Sequence, residues 1–531
     1  MADQPASGLR GITPYFLVLL LVATLGPLQF GFHLAELNAP QDVITCKKAS
    51  IWAVAARHLL LAARSPGSAH RGSDCIPMTE AAFATISSVF TLGGLAGALA
   101  AGPFCSRHGR RLGMQGTALV FLAGSAVEAL AGGVALMGVG RVLNGFGAGA
   151  ATVIVPIYIS ETAPPASRGF FGAFTQISTN VGILMTQTLG YFLSYGSAWR
   201  WIMGAGAIIA AVHGLGLMAF VPESPAWLAA HKGDVGTARA VLQRIRGGKA
   251  AVEDEVAAWG SEAEDDETIV GSEHQGLLSG ENRDGSASAT AAAAAVSDLP
   301  APRAASGAKA ASAHLGFWQV ARDPFYRPAI VSVVGIMFAQ QICGINSIIM
   351  YSVSLLNGLL PINSALVTIV ISAINLVTTA ACSPLPDRLG RKACILLSVA
   401  GQGVSSLGLA LSILFGLKTL SAVFVLLFVA SFAVGLGPVP FIMASELVGQ
   451  EAVGAVQSWS LGANYIATFI VAQFFPIVNT ALNETFGGAG YVYFLFAAAA
   501  AFWFVFISAY VPETLGCKDA DEVWGRTRRI D

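Results

Sequence analysis

The chain has 531 residues, a formal net charge of −1, and 11% charged against 54% hydrophobic side chains. Soluble domains carry about 25% charged residues, so lipid rather than water must cover much of this surface. Near-neutral charge argues against a nucleic-acid partner. The seven cysteines form no C-x-x-C pair or histidine-containing ligand set, so no metal site and no cofactor are expected.

A membrane-crossing helix needs about 20 mostly apolar residues. Six candidate spans precede the middle of the chain, at 14–34, 80–102, 112–132, 134–158, 170–193 and 200–221. Six more follow at 327–352, 364–386, 391–416, 419–445, 451–478 and 489–511. The apolar run 15–32 exceeds the core of a cleavable leader, which is about 7–15 residues, and reads as the first span. The expected organisation is a cytoplasmic tail (1–13), a six-helix bundle (14–221), a cytoplasmic linker (222–326), a second six-helix bundle (327–511) and a cytoplasmic tail (512–531). In the linker, Pro222–Gly247 reads as surface helix, with Ala238, Leu242 and Ile245 recurring at helical spacing. The stretch 250–313 is rich in Ala, Ser, Glu and Asp and reads as disordered.

The two sets of six share a pattern. Ser106-Arg107-His108-Gly109-Arg110-Arg111 follows the second span, and Asp387-Arg388-Leu389-Gly390-Arg391-Lys392 follows the eighth. Pro222-Glu223-Ser224-Pro225 closes one half, and Pro512-Glu513-Thr514 closes the other. Such internal repeats build a central site between two moving halves. The basic clusters, with Arg168, place their loops in the cytoplasm. The loop 41–79 then faces outward despite five basic residues, and Cys46 and Cys75 within it are candidates for a disulfide. The sequon Asn483-Glu484-Thr485 also falls outside.

Together these motifs resemble the sugar porter family of the major facilitator superfamily. The residues that carry the resemblance are Pro222-Glu223-Ser224-Pro225, Gln340-Gln341 with Gly344-Ile345-Asn346, Gly140-Arg141 with Gly145, Pro156 with Tyr158 and Glu161, Val511-Pro512-Glu513-Thr514, and Asn38-Ala39-Pro40-Gln41. The resemblance implies an all-α membrane protein of twelve transmembrane helices in two six-helix halves. It implies a carrier, not an enzyme.

A sugar presents hydroxyls that donate and accept, and amide side chains do both without charge. Gln176, Asn180 and Gln187 fall within about 40° of one another on a helix. Thr368, Ser372, Asn375 and Thr379 form another stripe, and Ser460, Asn464 and Thr468 a third. Amides and hydroxyls of this kind also join helices in membranes, which is the reading taken for the Ser and Thr residues. By resemblance, Gln176, Gln340, Gln341, Asn346, Asn375 and Asn464 contact the sugar, and Phe441 offers it an apolar face. Ala433 stands where many hexose facilitators have Glu, and Phe441 and Tyr465 where they have Trp, which loosens the tie to glucose.

The resemblance further places Arg107, Arg141, Glu161, Arg168 and Glu223 in a gating cluster of the first half, and Arg388, Arg391, Glu446 and Glu513 in one of the second. These would hold the inner gate shut by pairing across the halves. Arg110, Arg111 and Lys392 are read as positive-inside topology. Ser106 and Val453 replace charged gate residues, which predicts a weaker inner gate. His33 takes the place of the acid that couples protons in the first span of related symporters. With Glu36 it is the candidate proton site, and Glu128 and His213 are further intramembrane ionisable groups. The expected activity is transport of a monosaccharide, a hexose in first instance, by facilitated diffusion. A proton symporter, with the proton as co-substrate, and a non-transporting sugar sensor are the alternatives. The partners are the sugar and the bilayer, in the plasma membrane or the vacuolar membrane.

Overall fold

The computed structural model describes residues 13–47, 75–164, 167–232, 234–247, 317–356, 364–517 and 520–525, with 252 and 256. Apart from residues 252 and 256, the stretch expected to be disordered lies outside the described residues, as does most of the loop 41–79.

The first half consists of α1 (Pro14–Ala35), α2 (Glu80–His108), α3 (Arg110–Ala129), α4 (Val134–Thr162), α5 (Arg168–Leu193) and α6 (Arg200–Phe220). The linker contributes α7 (Pro225–Lys232), α8 (Val235–Arg246) and α9 (Phe317–Arg322). In the second half α10 (Arg327–Ile342) and α11 (Ile345–Leu356) together make the seventh span. α12 (Ser364–Cys382) and α13 (Arg391–Leu414) follow. The tenth span is split into α14 (Lys418–Val434) and α15 (Val439–Glu446), and α16 (Gln450–Phe486) and α17 (Val492–Tyr510) complete the bundle.

Eleven described spans are long and apolar enough to cross a membrane. The twelfth, α5, is held below that mark by its own Gln176, Asn180 and Gln187. Helix ends follow local chemistry. The Thr13 and Thr79 hydroxyls accept from the N–H groups of Phe16 and Ala82 and so start α1 and α2. Gly247 and Gly487, both left-handed, end α8 and α16.

The packing repeats with the sequence. α2 lies on α4, α1 on α5 and α3 on α6; in the second half α12 lies on α14, α10 on α16 and α13 on α17. The halves meet along α2–α16 and α5–α12, which exchange under the same repeat. Lipid gives helices no hydrophobic reason to associate, so close backbone approach through small residues matters. A Cβ at Gly145 would run into the Phe90 carbonyl oxygen, and one at Gly149 into that of Gly94. The same holds between α1 and α5, where Gly31 abuts Thr179 and Gly182 abuts Leu28.

The repeated motifs occupy equivalent stereochemical positions. The Glu223 carboxylate accepts from the backbone N–H groups of Arg110, at 2.7 Å, and Arg111. Glu513 accepts from those of Arg391, at 2.7 Å, and Lys392. Each acid therefore sits on the N-terminus of a helix, where its charge meets the helix dipole. Gly109 and Gly390, with φ of 95° and 98°, turn the chain there; a side chain on either would strike the capping carboxylate.

At the end of the bundle opposite the Gly109 and Gly390 turns, Cys46 and Cys75 form a disulfide. The Asn38 amide donates to Ile349 O and Ser352 Oγ and accepts from Val353 N, tying the end of α1 to α11. Ser88 donates to Gln473 across α2 and α16 at 2.7 Å. The ends of the two halves nearest this disulfide are thus fastened by hydrogen bonds.

Gly149→Val should push α4 off α2 and cost about 1–3 kcal/mol of stability. Thermal melting of the purified protein checks this, against Gly138→Ala, whose new Cβ meets nothing within 4 Å.

Candidate substrate site

All seven residues singled out as sugar contacts line one cavity between the halves: Gln176 from α5, Gln340 and Gln341 from α10, Asn346 from α11, Asn375 from α12, Phe441 from α15 and Asn464 from α16. Both span breaks lie beside it. Gly344, with φ of 102°, sits between α10 and α11, in a conformation that favours glycine. Residues 435–438 separate α14 from α15. No formally charged side chain lines the cavity among the described residues.

The amides form two sets. In the second half Asn346 Nδ2 donates to Gln341 Oε1, Gln341 Nε2 donates to Gln340 Oε1 at 3.1 Å, and Asn464 Nδ2 donates to the same Gln340 oxygen. In the first half Gln176 Nε2 donates to Asn180 Oδ1 at 3.4 Å. Asn180 then crosses between halves, donating to Thr379 Oγ1 at 2.9 Å and accepting from Asn375 Nδ2 at 3.4 Å. The sequence stripes include Asn180, but its bridging role needs the facing α12, which sequence spacing cannot supply. Gln187, on the same stripe, lies farther out and donates to Ile349 O at 3.5 Å.

On the inner side of the cavity Tyr465 packs with Leu461 against Ala98, Leu95 and Phe30 of the other half. Its hydroxyl lies 3.3 Å from Thr152 Oγ1. Its ring occupies space left open by Gly94.

The gate residues divide differently from the expectation. Glu161 pairs with Arg110, at 2.8 Å, and Glu446 with Arg391, at 3.0 Å. Each pair stays inside its own half, and among the described residues no ion pair crosses between halves. Arg110 donates also to Cys105 O, and Arg391 to Pro386 O, so the two pairs repeat one design. Arg110, read from sequence as a topology signal only, is therefore the structural partner of Glu161. Arg107 and Arg388 are exposed, and the side chain of Arg168 lies outside the described residues.

Arg141 departs from the expectation, because it is not at the end of the bundle that carries Glu161 and Glu223. α4 starts at the opposite end, so Arg141, in its second turn, lies far from them. There its Nη1 donates to Glu36 Oε1 and, at 2.6 Å, to His33 O. His33 Nδ1 lies 2.8 Å from Glu36 Oε2, and His33 Nε2 lies 3.3 Å from Ser125 Oγ. Asn144 donates to Glu128 Oε1 at 2.9 Å. The guanidinium also stacks over Phe90 at 4.5 Å. All four ionisable groups are fully buried. His33, Glu36 and Glu128 bring their ligand atoms within 4.8 Å of one another. The guanidinium already on Glu36 opposes a further cation, so this is an ion-pair cluster rather than a metal site.

The sequence profile of the sugar (and other) transporter family matches residues 19–519. The chain belongs to this family. It is 33% identical, over 97% of its length and 96% of theirs, to a protein of Saccharomyces cerevisiae described as a probable metabolite transport protein. It is 26% identical to the facilitated glucose transporter member 3 of Rattus norvegicus, over 96% of this chain and 92% of that one. Among solved structures, the E. coli xylose transporter in a partially occluded inward-open conformation matches with a TM-score of 0.69 at 20% identity, covering 95% of this chain and 100% of the other. The chain is thus a multi-pass membrane sugar transporter of the major facilitator fold, a carrier and not an enzyme.

Removing one partner of a buried ion pair costs about 3–5 kcal/mol, because the other charge stays behind. Arg141→Met should therefore lower thermal stability strongly, and Glu36→Gln added to it should restore a large part. Melting curves of both variants in the same detergent provide the measurement.

Proposed function

We propose that the protein carries a neutral monosaccharide, in first instance a hexose, across the membrane by alternating access and without energy coupling. The observation that carries this reading is the uncharged cavity, onto which amides of both halves converge. An anionic or cationic metabolite would need a counter-charge that the lining does not offer. A polyhydroxylated solute matches side chains that both donate and accept, while Phe432 and Phe441 give its ring faces an apolar wall. The names of the relatives, a glucose transporter and a xylose transporter, point to the same class. Asn180, bonded to α12, joins the halves at the cavity, so a solute bound there bears on both.

The expected contacts are Gln176, Gln340, Gln341, Asn346, Asn375, Asn464 and Phe441. A lost hydrogen bond to an uncharged ligand is worth about 1 kcal/mol. Gln341→Ala and Gln176→Ala should each raise the KM for the transported sugar about five-fold, measured by counterflow of radiolabelled D-glucose and D-xylose in proteoliposomes. Absence of counterflow with every monosaccharide tried on the wild-type protein would overturn the reading.

A second reading, proton symport, is favoured by one observation. Two buried carboxylates face one guanidinium and a histidine, so charge balance in the dry interior requires one further positive charge, and a proton is the simplest source. The cluster sits on α1, whose Phe30 and Leu34 line the cavity. The two readings differ in a single measurement. Under facilitated diffusion an inward proton gradient leaves sugar accumulation at equilibrium; under symport it drives accumulation that a protonophore abolishes.

A further inference from the structure

Three segments of the cavity wall, α1, α5 and α11, run toward the end of the bundle that carries the Cys46–Cys75 disulfide. Leu34, Ile183 and Ile349 are the cavity residues on them nearest that end. Four residues on, about one helical turn farther along, stand Asn38, Gln187 and Val353. These three form a closing layer across the halves. Asn38 Nδ2 donates to Ile349 O and to Ser352 Oγ, both at 2.9 Å, and Asn38 Oδ1 accepts from Val353 N at 3.1 Å. Gln187 Nε2 reaches the same Ile349 carbonyl at 3.5 Å.

Asn38 is well used in this layer, and Gln187 is not. The Gln187 bond is longer than the usual range of about 2.7–3.2 Å, and the carbonyl it reaches already accepts from Asn38. Gln187 is 2% exposed, and its Oε1 is buried and accepts from no group among the described residues. A buried acceptor without a donor is costly. A methionine of similar length would fill the space without that cost. The carboxamide therefore adds nothing to the closed layer, and its use lies in the state in which the layer is open. α5 belongs to one half and α11 to the other, so admitting a solute from this end takes Gln187 off Ile349 O. Both ends of its amide then face the passage. Gln187 shares a helical stripe with Asn180 and Gln176, so the same face leads on into the cavity.

We propose that Gln187 is a solute-binding residue of a second, shallower subsite, one helical turn beyond the cavity, which takes hydroxyls of a neutral polyhydroxylated solute when the halves part at the disulfide end. Its Nε2 donates to one hydroxyl and its Oε1 accepts from another, as amides can without charge. A monosaccharide meets this subsite in passing and leaves it for the cavity. A disaccharide with one ring in the cavity holds its second ring at the level of Gln187. The inference deepens the reading of the cavity as the solute site and rests on it.

The test uses a disaccharide for that reason. Displacement of radiolabelled D-glucose by unlabelled D-glucose and by maltose is measured at equilibrium on the purified protein, on Gln187→Met and on Gln341→Ala. For Gln187→Met the dissociation constant of maltose should rise about five-fold, the equivalent of one lost hydrogen bond, and that of D-glucose should stay within about two-fold of wild type. Gln341→Ala, in the cavity, should weaken both sugars. Gln187→Asn keeps an amide one carbon shorter and should recover part of the maltose binding. Sugar-free Gln187→Met should melt at or above the wild-type temperature, because an unpaired acceptor is gone; a residue that only joined helices would lower it. The subsite is overturned if Gln187→Met leaves maltose binding unchanged, weakens both sugars alike, or melts well below wild type. It is overturned also if the wild-type protein binds D-glucose and excludes maltose. In each of these cases the reading of the cavity stands as long as Gln341→Ala weakens D-glucose. If the wild-type protein binds neither sugar, that reading fails and the subsite falls with it.

Discussion

Inside a membrane no water is available to satisfy a polar group, and each unmade hydrogen bond is costly. That constraint governs where this protein can interrupt its helices. Both breaks, at 343–344 and 435–438, lie at the cavity, and each is closed from within. Gly344 N donates to Gln341 O, and the Leu436 peptide is held by Ser398 and Gln340. Leaving one such group unpaired costs about 1–3 kcal/mol, so a break is tolerable only where another partner, backbone or side chain, stands ready. The amides of α10 therefore serve the backbone as well as the solute. The same economy explains α5: its polar stripe weakens it as a membrane span, and contact with α12 compensates by giving Asn180 partners across the interface.

The repeat is strongest at the inner end and weakest in the middle. Glu223 with Arg110 and Glu513 with Arg391 are near copies, down to the positive φ of the preceding glycines. Such motifs bind one helix start to the carboxylate behind it, a task that is identical in both halves. The bundle centres have diverged. Where the second half has amides on a broken span, the first half has an unbroken α1 and a charged cluster locked by Arg141.

Much of this was legible in the sequence, for reasons that differ by residue. The spans and the inner motifs show because they are local: apolar length, a Gly-Arg pair, a Pro-Glu pair. The cavity amides show through the family resemblance of their motifs; helical spacing by itself puts Gln176 above Asn180 but does not separate a solute contact from a bond between helices. Pairings between distant segments do not show. Arg141 reads as one more basic residue near a motif, and only the packing of α4 against α1 brings it to Glu36. Arg110 and Arg107 are indistinguishable as charges, yet the turn at Gly109 sends one to Glu161 and leaves the other exposed. The bonds from Gln340 to the Leu436 and Gly437 carbonyls are likewise invisible without the break in the tenth span.

These contrasts assign the two halves different mechanical parts. The first half is stitched by backbone-to-backbone glycine contacts between α2 and α4 and between α1 and α5, and pinned by a buried ion pair; separating the helices forfeits close packing, and separating the ion pair leaves charges that lipid cannot satisfy. The second half contains two broken spans, one closed by the backbone bond from Gly344 N to Gln341 O and the other by the Ser398 and Gln340 side chains. The surfaces where the halves meet, α2–α16 and α5–α12, are held instead by side-chain hydrogen bonds, Ser88 to Gln473 and Asn180 to Thr379, each of which is a neutral pair that can part at lower cost than a buried charge.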